Sequence, residues 1–150
     1  MNKNEKKEMA LLDKAIRTAA KAHKGQVDKS KVTYMLHPLR LMAKMETVTE
    51  KIVAVLHDVI EDNKKYSLKK LKKKGFPAEV IEALDCLTKR KGELYEPFIG
   101  RVKKNKLATK VKIADLEDNM DTRRLPKLTG KDLERLAKYH RARRRLLRAK

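Results

Sequence analysis

The sequence predicts an all-α protein: one helical domain over residues 1–150, built as a bundle of about seven or eight helices. Three observations lead there. Apolar residues return at spacings of three and four along most of the chain. No stretch alternates as a half-buried strand does. Trp is absent and the aromatic fraction is only 4%, so the core must be made of Leu, Ile, Val, Ala and Met. Apolar residues make up 41% of the 150, enough for one sizeable core although 40% are charged.

The elements follow in order. Residues 5–23 read as an amphipathic helix with Leu12, Ile16, Ala19, Ala20 and His23 on one stripe; His23 packs or caps its end. The segment KGQVDKSKVTY, opened by Gly25, has no period and reads as a loop of functional length. Pro38 suits the first turn of the next helix. Thr49, with Glu50 behind it, is placed to start a third helix, which runs on through VAVLHDVIED. A short helix is expected from Ser67 to Gly75, and Pro77 opens another. The segment ELYEPFIGRVKK reads as a helix interrupted by Pro97 and Gly100. KLATKVKIADLEDNM carries Leu107, Val111, Ala114 and Asp118 on one stripe. After the turn LPKLTG, a basic helix over about 131–150 presents Leu133, Leu136, Tyr139 and Leu146 as its apolar edge.

Composition narrows the setting. The single Cys, Cys86, excludes an intramolecular disulfide; in the run VIEALDCLT it reads as a buried inert thiol. No signal-peptide core is present, and no apolar run nears the ~20 residues that span a bilayer. A soluble cytoplasmic protein with no membrane partner is expected. The net charge of +20 attracts polyanions, so nonspecific nucleic-acid binding is expected alongside any phosphorylated small ligand. The sequence is silent on oligomeric state.

The segment VAVLHDVIED turns ionisable in the middle of an apolar run. A carboxylate on a buried face costs several kcal/mol unless it is paired, and a cation removes that penalty. On a helix His57 and Glu61 lie four apart, Asp58 and Glu61 three, and Asp58 and Asp62 four, so all can face one cleft. His37, at a helix start, and Asp115, within the apolar run VKIADLEDNM, are further outliers. His37, His57, Asp58 and Asp115 would offer two nitrogen and two oxygen donors. That set favours Mn²⁺, Fe²⁺ or Zn²⁺ and leaves positions open for water. A lone His–Asp dipeptide is more often a hydrogen-bonded structural pair; three separated outliers argue for a metal.

The order His37, then VLHD at 55–58, then Asp115 resembles the H…HD…D pattern of the HD phosphohydrolase superfamily. AHKGQVDKSKVTYMLHPLRLM is similar to AHxGQxRKxxxPYxxHPLxVA of the Rel/Spo-type small alarmone hydrolases. VLHDVIEDN resembles their LLHDxxEDT, and VKIADLEDNMDT their xKLADRxxNMRT. The similarity covers roughly residues 10–125 in order.

The resemblance implies removal of the 3′-pyrophosphate of (p)ppGpp, giving GDP or GTP and pyrophosphate, with one divalent ion, usually Mn²⁺. It makes His37, His57, Asp58 and Asp115 the metal ligands. Glu61 and Asp62 become the acids that position or deprotonate the attacking water. Lys29, Ser30, Tyr34, Asn119 and Thr122 become nucleotide contacts. The chain ends about 35 residues after Asp115, so hydrolysis is expected and synthesis is not.

Two positions depart from the pattern. Asp28 stands where the family has an Arg that can stack on guanine, and Asp121 where it often has Arg. An acid makes no cation–π contact and repels phosphate. Hydrolysis of another nucleotide or phosphoester is therefore a competing expectation. Another class of function, a basic nucleic-acid-binding module using YHRARRRLLRAK and the Lys-rich face of 64–74, lacks aromatic interleaving. His140 reads as a surface residue.

Overall fold

The computed structural model describes residues 1–148. Its order is α1 (Lys3–Ala22), α2 (Leu36–Ala43), α3 (Val48–Leu56), α4 (Val59–Asp62), α5 (Leu68–Lys73), α6 (Ala78–Leu87), α7 (Tyr95–Lys103), α8 (Lys106–Met120), a short 3-10 helix (Thr122–Arg124) and α9 (Gly130–Leu147). Among the described residues no strand forms; Val27 and Thr33 make one isolated antiparallel bridge in the first loop. None of the described helices is long and apolar enough to cross a membrane.

Local chemistry sets the helix starts. Asn2 and Glu5 form a capping box, so α1 begins two residues ahead of the expected position 5. The cap of α3 is Thr47, not Thr49: Thr47 accepts from the Glu50 N–H while Glu50 reaches back to the cap. Ser67 caps α5, and Thr129 with Asp132 caps α9. The N–H of His23 closes α1 on Ala19, and its ring is buried.

α3 is the central helix. Ile52, Val53, Ala54, Val55 and Leu56 are all buried, apolar on every side, because α1, α2, α6 and α8 pack around it. The sequence reads α3 and α4 as one helix; the structure breaks them at His57 and Asp58. Both residues stay in the right-handed region, at φ −56°, ψ −32° and φ −103°, ψ −2°, so the break is a kink rather than a loop. The His57 imidazole donates to the Ala54 carbonyl at 2.8 Å. In an unbroken helix that carbonyl would serve the Asp58 N–H.

α7 is continuous, against the expected interruption. Pro97 lies in its first turn, where its missing N–H breaks no helical bond. Gly100 gives room to Arg145, whose Nη2 would lie 3.0 Å from a Cβ there. α9 turns its face differently from the expected one: Ala142 and Leu146 are buried, but Leu133 is 56% exposed. Ala149 and Lys150, within the expected helix, lie outside the described residues. Cys86 is half-buried, not fully buried, and burial pushes its thiol pKa up.

Candidate metal centre

Three elements converge on one point: the first turn of α2 brings His37, the α3–α4 kink brings His57 and Asp58, and the middle of α8 brings Asp115. Ligand atoms of His37, His57 and Asp58 all lie within 4.8 Å of one another, a group able to hold a metal ion. Asp115 Oδ1 stands 3.0 Å from His37 Nε2 and 3.5 Å from His57 Nε2. Asp58 Oδ2 is 2.9 Å from His57 Nε2 and 3.9 Å from His37 Nε2. The kink matters here, because it brings adjacent residues, His57 and Asp58, to the same centre.

Each imidazole is held from behind. His37 Nδ1 meets Asp118 Oδ2 at 2.6 Å, and Arg40 grips the same carboxylate with Nε at 2.8 Å and Nη2 at 2.9 Å. His57 Nδ1 is engaged by the Ala54 carbonyl. With each Nδ1 proton donated outward, each Nε2 lone pair faces the centre. His57 Nε2 is buried and makes no well-directed hydrogen bond. The carboxylates are also braced. The Tyr34 hydroxyl donates to Asp58 Oδ2, Lys112 Nζ to Asp115 Oδ2 at 2.8 Å, and Asn119 Nδ2 to Asp115 Oδ1 at 2.7 Å.

The protonation pattern shows why a cation fits. Burial disfavours charge on His57, yet Asp58 and Asp115 outweigh it and raise the imidazole well above its ordinary value. Burial is likewise overcome at Asp58, which His57 lowers to about 2. At Asp115, Lys112 and the two histidines prevail over burial and hold the carboxyl well below its usual range. The cluster is thus a buried anionic pair that needs positive charge, which a divalent ion can supply in place of imidazole protons.

Glu61 and Asp62 follow on α4, both exposed. Glu61 accepts the Lys89 N–H, and Asp62 accepts from Gln26 Nε2 at 2.8 Å. Gln26 is in turn bound to His23 Nδ1 at 2.8 Å, so a buried histidine anchors this loop residue to α4. Burial first, and Asp58 among the other causes, raise both acids above ordinary carboxyl values.

Beside the cluster lies a cavity of about 240 Å³ lined by Lys29, Ser30, Tyr34 and Asn119, with Arg124, Arg135 and Tyr139 contributed from later in the chain. Thr122, in the 3-10 helix, is not among its lining residues. Asp28 lines it but is occupied: its Oδ1 accepts from the N–H of Ser30 at 2.8 Å and of Val32 at 3.1 Å. Asp121 caps the 3-10 helix and binds Arg123 at 2.7 Å and 2.9 Å.

The sequence reading missed Asp118, Arg40, Lys112 and Gln26. Asp118 is three residues after Asp115 and was visible on the α8 stripe, but nothing in the sequence distinguished it from a surface acid. Arg40, three after His37, carried the same helical spacing.

No family model matches the chain. Two curated sequences sharing one description, "Putative GTP diphosphokinase RSH1, chloroplastic" from Arabidopsis thaliana, are each 32% identical to it over 88 residues, 56% of this chain and 10% of the relative. The chain therefore spans about a tenth of the length of the curated relatives it matches.

Proposed function

We propose that the protein is a metal-dependent phosphohydrolase that removes the 3′-pyrophosphate of (p)ppGpp. The observation carrying this reading is the convergence of two imidazole Nε2 atoms and two carboxylates at one buried point, each braced by a second group. The similarity to a protein described as a GTP diphosphokinase supports a guanine nucleotide as the substrate class. That description belongs to a protein of which this chain spans a tenth; the hydrolytic direction rests on the histidine–aspartate cluster and on the motif resemblance.

His37, His57, Asp58 and Asp115 would hold one divalent ion, Mn²⁺ in the reading favoured by the motifs, with Fe²⁺ or Zn²⁺ also suited to the donors. Such an ion supplies Lewis-acid neutralisation of phosphate charge and makes water a better nucleophile near neutral pH. The chain's own groups do the rest. Glu61 and Asp62, with raised pKa values, are suited to accept a proton from water as it attacks. Gln26 keeps Asp62 oriented, and Tyr34 keeps Asp58 oriented while lining the nucleotide cavity. Asn119 and Lys29 line that cavity and are placed to meet sugar and base or phosphate.

The test is turnover of ppGpp by chelator-stripped protein reloaded with Mn²⁺. GDP and pyrophosphate are the expected products. Absence of turnover in protein carrying one stoichiometric ion would exclude the alarmone. The competing expectation of another nucleotide, motivated by Asp28 and Asp121, would then be taken up with a panel of nucleoside phosphates.

A further inference from the structure

The cavity beside the metal centre continues into a second cleft. The two share Lys29, Ser30, Arg124 and Leu125, and the second adds Lys31, Arg123 and Pro126. Four cations, Lys29, Lys31, Arg123 and Arg124, therefore gather along one continuous surface. Two carboxylates stand against them, Asp28 and Asp121, leaving an excess of positive charge. Asp28 is largely spent on backbone N–H groups.

This gathering is built, not incidental. Lys31 sits at φ 60°, a left-handed conformation uncommon for a side-chain-bearing residue. It is held there by the Asp28 carboxylate, which takes the N–H groups on both sides of it, and by the bond from the Lys31 N–H to the Asp28 carbonyl at 3.0 Å. Ser30 Oγ donates to the Arg124 carbonyl at 2.9 Å and pins the loop to the 3-10 helix. Asp121 takes both the N–H and the Nε of Arg123, fixing that guanidinium at the rim. The two acids that depart from the family pattern thus act as local clamps that present neighbouring cations. Burial and then the nearby Arg135 lower the Lys29 pKa, the mark of an ammonium facing other cations.

We propose that this cleft, lined by Lys29, Lys31, Arg123 and Arg124, is a second phosphate subsite that takes the 5′-diphosphate arm of a nucleotide whose 3′ arm lies at the metal centre. This rests on the hydrolase reading given above. It makes the preferred substrate a nucleotide phosphorylated at both ends, and it makes a nucleoside 5′-diphosphate product a ligand in its own right. Arg and Lys forks suit the non-bridging oxygens of a diphosphate. The metal-free floor, with Asp58 and Asp115 ionised, repels phosphate, so an arm bound without metal reports on the cleft.

The experiment is calorimetric titration of the chelator-treated full chain with GDP and with guanosine. Wild type is compared with Lys31→Ala/Arg123→Gln and with Lys69→Ala/Lys72→Ala, which removes the same charge from the exposed face of α5. GDP should bind at least tenfold more tightly than guanosine. The cleft pair should abolish that difference, whereas the α5 pair should change GDP binding less than twofold; circular dichroism checks that both variants fold. Equal binding of GDP and guanosine, equal losses in the two pairs, or no loss in the cleft pair would each overturn the proposal. GDP binding without ppGpp turnover would sink the hydrolase reading and keep the cleft; turnover without a GDP preference would do the reverse.

Discussion

The metal centre and the basic cleft are assembled by opposite strategies. His37, His57 and Asp115 are at most 5% exposed and sit on helices around the core. The Arg123 side chain is 88% exposed, on a single turn between α8 and α9. At the centre, position is set by packing and by a second ring of hydrogen bonds. At the cleft, it is set by short clamps, Asp28 on Ser30 and Val32, Asp121 on Arg123, and Ser30 on Arg124. A buried site with two layers of support should fail abruptly when a ligand is lost and by degrees when a support is lost. A clamped surface site should yield by small steps.

The sharpest break of this contrast is at the ligands. His57→Ala or Asp58→Ala should abolish stoichiometric metal binding and turnover while leaving helicity intact, as measured by metal content and circular dichroism. Retained metal in both would refute the assignment. Next comes the support behind His37. Asp118→Asn should weaken metal binding by about tenfold to a hundredfold, the usual cost of losing an outer partner. An unchanged affinity would mean that packing alone orients His37.

A smaller effect is expected on acid stability. Burial alone would raise Asp118, yet His37 and Arg40 hold its carboxyl below the ordinary range. Its contribution is therefore complete above its unfolded pKa of about 3.9 and is lost as pH falls through the lower folded value. Thermal unfolding of metal-free protein should show Tm falling below pH ~4, and the fall should be shallower in Arg40→Ala. At neutral pH Arg40→Ala should cost about 1–3 kcal/mol, since it removes hydrogen bonds to a charged group. Parallel pH curves for the two proteins would mean that the pair contributes nothing to folding.

What the sequence disclosed follows the same division. The all-helical fold was legible because the apolar spacing persists through every long element. His37, His57, Asp58 and Asp115 were legible because each interrupts an apolar run or opens a helix. The kink at 57–58 was not, because its origin is a side-chain bond to the Ala54 carbonyl and the composition of VAVLHDVIED suits a continuous helix. Thr47 was passed over for Thr49, although the spacing from Thr47 to Glu50 is that of a capping box. Asp118 was hidden among the other acids of DLEDN, since only tertiary contact with His37 and Arg40 sets it apart. The cleft was misread because Asp28 and Asp121 look hostile to phosphate until their hydrogen bonds are known.

The pairing of His37 with Asp118 joins residues 81 positions apart, and that of Ser30 with Arg124 joins residues 94 apart. Contacts of such span close late, because long loops must first be drawn together. During synthesis the first half of the chain can fold α1 against α3, but His37 and His57 must wait for α8 before either meets Asp115. Metal capture would therefore reward only the finished chain. An ion that binds the native state alone shifts the folding equilibrium by mass action, so cellular metal supply would help decide how much of this protein matures.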